Sequence, residues 1–174
     1  VEPVKSNPIT GGTTKDVEPT PDAKALQFVI ESAAKSPNLQ QAARKVEFAY
    51  EVNKGVATGY NYVGKGNQFN PGGSLPLPTN ALDAAAAKHD AAYKEAGAIP
   101  GAELPRGDQR IGVFVADRVL IADAERIRDD TTKTTKERSD AGMVAEYFRF
   151  KHTEDVKATL KEYNRETPTP IDLA

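Results

Sequence analysis

The sequence predicts a mainly α-helical domain, and three observations carry that expectation. One is a nearly unbroken run of strong helix formers from Ala81 to Ala96, A-L-D-A-A-A-A-K-H-D-A-A-Y-K-E-A. Another is a set of further stretches, about 22–35, 39–53, 108–128 and 141–164, whose apolar residues recur at helical spacing. The third is the scarcity of strand-like alternation, with short pairing near Tyr60–Val63 as the exception.

Taken in order, residues 1–21 hold Pro3, Pro8, Pro19, Pro21, Gly11, Gly12 and several threonines, the composition of a flexible leader. Asp22 is placed to cap a helix through about Lys35, with Leu26, Phe28, Val29, Ile30 and Ala33 as its apolar residues. Ser36-Pro37-Asn38 breaks it. A second helix follows to about Asn53, with Ala42, Val46, Ala49 and Tyr50 at helical spacing, and the pair is expected to cover a core rather than lie on a lipid surface.

The third helix starts after Pro78 with Thr79 or Asn80 as its cap. Asp83 sits in its first turn, where the helix dipole favours a negative charge, and Gly97 is its stop. Gly97–Gly107 reads as a loop, and Asp108 opens a fourth helix. Its expected apolar stripe, Ile111, Val115, Val119, Ala122 and Ile127, would pack on the third helix, with Gly112 allowing close approach of two antiparallel helices. Arg128–Asp140 is charged and threonine-rich and reads as a solvated helix end and linker. Ala141–Asn164 is the last helix, with Met143, Val144, Tyr147, Phe148, Phe150, Val156 and Leu160 expected to pack. The expected organisation is a leader (1–21), a domain (22–163) with flanking helices 22–53 and 141–163, and a turn-rich tail (164–174).

The bulk properties narrow the function classes. Lysine plus arginine number 23 and aspartate plus glutamate 25, a net charge of −2, so no global basic character draws the chain to nucleic acid. No apolar run approaches the ~20 residues of a membrane-spanning helix, and no signal peptide is visible. The absence of cysteine fits a reducing compartment or a particle assembled in one. A chain beginning at Val1 is expected to be a processed or excised piece.

The chemistry concentrates between Tyr60 and Tyr93. His89 and Tyr93 are four residues apart on a helix and Asp90 and Tyr93 three apart, so one face can present an imidazole, a carboxylate and a phenol. Gly64 and Gly66 flank Lys65 in a loop whose carbonyls can converge; with the Asp90 carboxylate they would form a partial calcium cage. Singly, each feature has a plainer reading: a G-x-G is a common turn, and a helical histidine is usually packed or exposed. His152, beside Glu154 and Asp155 with no second histidine or cysteine nearby, reads as a solvated surface residue.

The combination resembles the phospholipase A2 superfamily. Y-V-G-K-G at 62–66 is similar to its calcium loop, and H-D-A-A-Y at 89–93 to its H-D-x-x-Y helix. Gly66-Asn67, Pro78-Thr79-Asn80, Ala84–Ala87 and Asp108-Gln109-Arg110 follow the motif order of the phospholipase A2 domain in parvovirus minor capsid proteins, over a span of roughly 59–121. Lys65 stands where that group often has proline, and the missing disulfide framework sets the chain apart from the secreted members.

The resemblance implies His89 as general base, Asp108 as the carboxylate orienting it, and Tyr93 as the anchor of that carboxylate. It implies calcium held by Asp90 and the carbonyls of Tyr62, Gly64 and Gly66, with the Gly64 amide in the oxyanion site. It further implies hydrolysis of the sn-2 ester of membrane phospholipids. The expected location is the capsid interior, beside other capsid protein, with exposure during entry and action at the endosomal membrane. Two other classes share these motifs: a non-catalytic membrane-binding module and a calcium-stabilised structural element of a capsid. Neither needs a base with its orienting carboxylate, so the set His89, Asp90, Tyr93 and Asp108 argues for the enzyme.

Overall fold

The computed structural model describes residues 18–65, 75–99 and 104–167. Its helices are α1 (Pro21–Ala34), α2 (Leu39–Lys54), α3 (Ala81–Glu95), α4 (Asp108–Asp129) and α5 (Thr135–Glu166). The cap of α1 is Thr20, not Asp22: its hydroxyl accepts from the Ala23 amide at 3.2 Å, and Pro21 fills the first turn, where no amide proton is needed. Asp22 instead turns inward and accepts the Tyr147 hydroxyl at 2.7 Å.

The first two helices cover the core as expected, but through narrower faces. On α1 the buried residues are Asp22, Ala25, Val29 and Ala33, while Phe28 faces outward and stacks on Phe150. On α2, Ala49 is buried and Phe48 and Val52 are partly so, whereas Val46 and Tyr50 lie in solvent. The expected short pairing appears as one antiparallel bridge, Val56 to Gly64, with the Ala57 amide donating to the Val63 carbonyl at 2.8 Å.

Asn80 caps α3 through the Asp83 amide at 2.9 Å, and Gly97, at φ 67°, ends it in the left-handed region that glycine adopts without strain. Helix α4 packs on both α3 and α5, and α1 joins α5 to α2. A Cβ at Gly112 would lie 2.7 Å from that of Ala96, so this glycine is where α4 meets the end of α3. The paired residues descend along α3 as they ascend along α4: Ala96 with Gly112, His89 with Asp117, Lys88 with Asp123. Leu82, Leu120, Ala124 and Val144 centre the main core, with Tyr60, Tyr62 and Val63 packed into it.

The expected stripe on α4 is out of phase except at its end, where Ile127 is buried. Ile111, Val115 and Val119 are exposed, and the buried face is Val113, Ala116, Asp117, Leu120, Ala124 and Ile127. A strict four-residue repeat drifts about 40° per step around a 3.6-residue helix. The true face follows mixed steps of three and four, and the aspartate within it disguises the phase.

The charged linker is also shorter than expected. Thr134 accepts from the Glu137 amide at 3.1 Å, the T-x-x-E arrangement of a helix start, and α5 begins at Thr135 rather than near Ala141. Glu137 and Asp140 are buried there, accepting the Leu82 amide at 3.2 Å and the Tyr60 hydroxyl at 2.6 Å. Helix α5 runs on to Glu166, into the stretch expected as tail. Among the described residues no helix is long and apolar enough to cross a membrane.

Candidate active site

His89 lies two turns into α3, buried, with Tyr93 one turn further on and their rings 4.2 Å apart. Its Nε2 is 2.7 Å from Oδ1 of Asp117, and the Tyr93 hydroxyl donates to that same oxygen at 2.6 Å. The other oxygen of Asp117 accepts from Lys151 Nζ at 2.9 Å. The edge of Phe148 closes over the imidazole at 4.9 Å between centroids.

These contacts fix the electrostatics. Burial opposes charge on His89, but the hydrogen bond to Asp117 and the nearby Asp90 carboxylate outweigh it and leave the imidazole pKa above its ordinary value. Burial also works against the Asp117 carboxylate, yet His89, Lys151 and Tyr93 together hold its pKa below the usual range. Burial, reinforced by Asp117, drives the Tyr93 phenol far upward, so it stays a donor. An ionised Asp117 holds the neutral imidazole proton on Nε2 and leaves Nδ1 with a lone pair.

Nδ1 is on the side of Asp90, 3.9 Å from its Oδ1. The Asp90 Oδ2 is buried with no partner, and burial pushes this carboxyl group's pKa up. Asp90, Tyr62 and Gly64 line one cleft with His89 and Tyr93, whose apolar walls include Leu26, Val52, Leu120 and Met143. At Gly64 (φ 150°) a Cβ would fall 1.9 Å from the Gly55 carbonyl oxygen, so only glycine brings the loop this close. A buried carboxylate oxygen without a donor, beside a glycine loop, fits a cation with oxygen ligands. The bridge occupies the carbonyl of Val63, which is not among the expected ligands. Gly66 lies outside the described residues. No cluster of three or more His, Cys, Asp or Glu side chains suited to a metal occurs among the described residues, so such a site would depend on backbone oxygens.

Asp108 does not meet His89. It is exposed in the first turn of α4, and the carboxylate against the imidazole is Asp117. The reason is register. Gly112 already touches Ala96 at the C-terminal end of α3, so Asp108, one turn earlier, falls beyond that end. His89 lies seven residues back along α3, opposite a residue well past Gly112. A charged residue inside an apolar helix face, V-F-V-A-D-R-V-L, was the available signal for Asp117. His152 is half-buried rather than solvated, with the Phe114 ring 5.4 Å away and its Nδ1 enclosed without a partner.

Asp83 has a role that its place in the first turn of α3 did not reveal. Its fully buried carboxylate accepts from the backbone amides of Asn61 (3.0 Å), Tyr62 (2.7 Å) and Thr79 (2.9 Å), pinning the glycine loop to the helix that carries His89 and Asp90. Asp83→Ala strands three amides, each worth about 1–3 kcal/mol when left without an acceptor. The expected result is a loss of at least about 3 kcal/mol in urea unfolding, with amide exchange at residues 60–64 accelerated most.

A family model described as "Phospholipase A2-like domain" matches residues 53–99. That span holds the Gly64 loop, Asp83, His89, Asp90 and Tyr93, and stops short of Asp117. No curated protein and no solved structure matches the chain.

Proposed function

We propose that this chain is a calcium-dependent phospholipase A2 that hydrolyses the sn-2 ester of glycerophospholipids. The observation that carries the reading is the buried Asp117–His89 hydrogen bond, which leaves Nδ1 on the side of Asp90, whose Oδ2 is buried with no partner. The Phospholipase A2-like match over 53–99 supports the same class.

In this reading α3 and α4 are the two antiparallel active-site helices and residues 62–66 the calcium loop. The apolar walls of the cleft take the acyl chains, and a water molecule next to His89 is the nucleophile. As that water attacks the ester carbonyl, one of its protons passes to Nδ1 while Nε2–H stays on Asp117. The resulting imidazolium is balanced by Asp117, which Tyr93 and Lys151 hold in place. Collapse breaks the ester bond, and Nδ1–H returns the proton to the departing alkoxide, leaving a fatty acid and a lysophospholipid. The Gly64 amide is the oxyanion donor. Asp90 and the carbonyls of Tyr62, Gly64 and Gly66 would hold calcium, which when bound supplies Lewis-acid polarisation of the ester carbonyl and an anchor for the phosphate. The order of motifs from Tyr62 to Arg110 supports a parvovirus-type capsid context, in which the activity breaches an endosomal membrane during entry.

The test is fatty-acid release from mixed phospholipid vesicles, with calcium and then with a chelator. Release that depends on calcium and stops at the lysophospholipid is the expected result. Vesicle binding without release would overturn the assignment.

A further inference from the structure

We infer that Lys151 is a positioning residue of this site: its ammonium group locks Asp117 in the orientation that receives the His89 Nε2–H, and Asp155 holds Lys151 there. The inference rests on the phospholipase reading only where activity is measured.

The geometry is a three-point tether. Lys151 is buried in mid-α5, and its ammonium group donates to Asp117 Oδ2 at 2.9 Å, to Asp155 Oδ2 at 2.7 Å and to the Tyr93 hydroxyl at 3.1 Å. An ammonium group has three protons, so its donor capacity is used in full. Both oxygens of Asp117 are thereby engaged: Oδ1 by His89 and Tyr93, Oδ2 by Lys151. A carboxylate held on both oxygens cannot swing away from the imidazole.

Charge balance points the same way. Asp117 and Asp155 carry two negative charges against one positive on Lys151, and the buried side chains of Asp22 and Asp90 stand close by, so negative charge is in surplus around His89. A proton arriving on His89 offsets part of that surplus. Without Lys151, two buried carboxylates would share the site, and such a pair sheds its charge by taking up a proton. A protonated Asp117 no longer selects the Nε2–H tautomer.

A plainer role for Lys151 would be to neutralise Asp155, its i+4 neighbour on the same helix. The two roles separate in Lys151→Met and the double variant Lys151→Met/Asp155→Asn, which leaves the net charge of the cluster unchanged and so keeps a foldable form available. The readouts are melting temperature, kcat and KM for vesicle hydrolysis, and the imidazole ¹⁵N spectrum of His89, assigned with His152→Gln.

Lys151→Met is expected to lower kcat on the order of 10–100-fold, the scale for groups that orient a reacting residue, with KM little changed. Its His89 spectrum is expected to show mixed tautomers. In the double variant Asp117 keeps its charge, but its Oδ2 lacks the Lys151 donor and the carboxylate is free to turn, so this variant is expected to regain the melting temperature but neither kcat nor the single tautomer. A double variant with wild-type kcat and a pure Nε2–H spectrum would overturn the inference. A wild-type chain that releases no fatty acid would overturn the phospholipase reading instead, and the spectrum would then decide the role of Lys151 by itself.

Discussion

Asp117→Asn is expected to lower phospholipid hydrolysis by about 1,000- to 10,000-fold, the scale seen when the orienting carboxylate of a catalytic histidine becomes an amide. Asp108→Asn should leave the rate within about twofold, as for an exposed side chain away from the chemistry. Both substitutions remove one negative charge and preserve shape, so the contrast isolates position. Asparagine at 117 can still accept from one neighbour, but its amide nitrogen would face either His89 or Lys151, each already a donor. An amide pointed at the imidazole donates to Nε2, moves the proton to Nδ1 and so removes the base. Pointed at Lys151, it sets two donors together in a buried site. Folding should suffer as well, because Lys151 loses one of its two counter-charges. The rate is therefore measured on the fraction that gives a native near-ultraviolet spectrum. Equal losses at 108 and 117, or a loss confined to 108, would refute the arrangement around His89.

The same pair shows how far the sequence could be read. The helix termini rest on local chemistry, and Asn80, Gly97 and the Ser36-Pro37-Asn38 break stand where that chemistry put them. His89 with Tyr93 on one face follows from helical spacing alone. What local chemistry does not specify is how far one helix slides along another. Asp108 and Asp117 both lie on α4, and the register in which Gly112 meets Ala96 brings Asp117, not Asp108, to His89. Motif order favoured Asp108, and register favours Asp117. Lys151 is hidden in the sequence for a related reason. A lysine between Phe150 and His152 reads as a surface residue until Tyr93 of α3 and Asp117 of α4 are seen to meet it. Asp83 reads as a first-turn acid, but its three amide partners come from segments on both sides of residues 66–74.

His89→Ala and Asp90→Asn should each abolish hydrolysis, yet for different reasons that calcium-dependent melting can separate. His89→Ala removes the base, a loss of at least about 1,000-fold, while Asp90 and the loop stay in place. Calcium should therefore still stabilise this variant, by about 2.7 kcal/mol at a hundred times its dissociation constant, as it should the unaltered chain. Asp90→Asn acts on the other half of the site. Without calcium, the native chain carries a buried carboxylate oxygen with no donor, which burial alone disfavours. Neutralising it should raise the melting temperature in chelator and erase the response to calcium. A calcium response that survives Asp90→Asn would remove Asp90 from the ligand set, and a fully active His89→Ala would end the general-base mechanism. The opposite signs in chelator distinguish a carboxylate that is costly until a cation arrives from one that simply braces the fold, since a bracing residue would lose stability when neutralised.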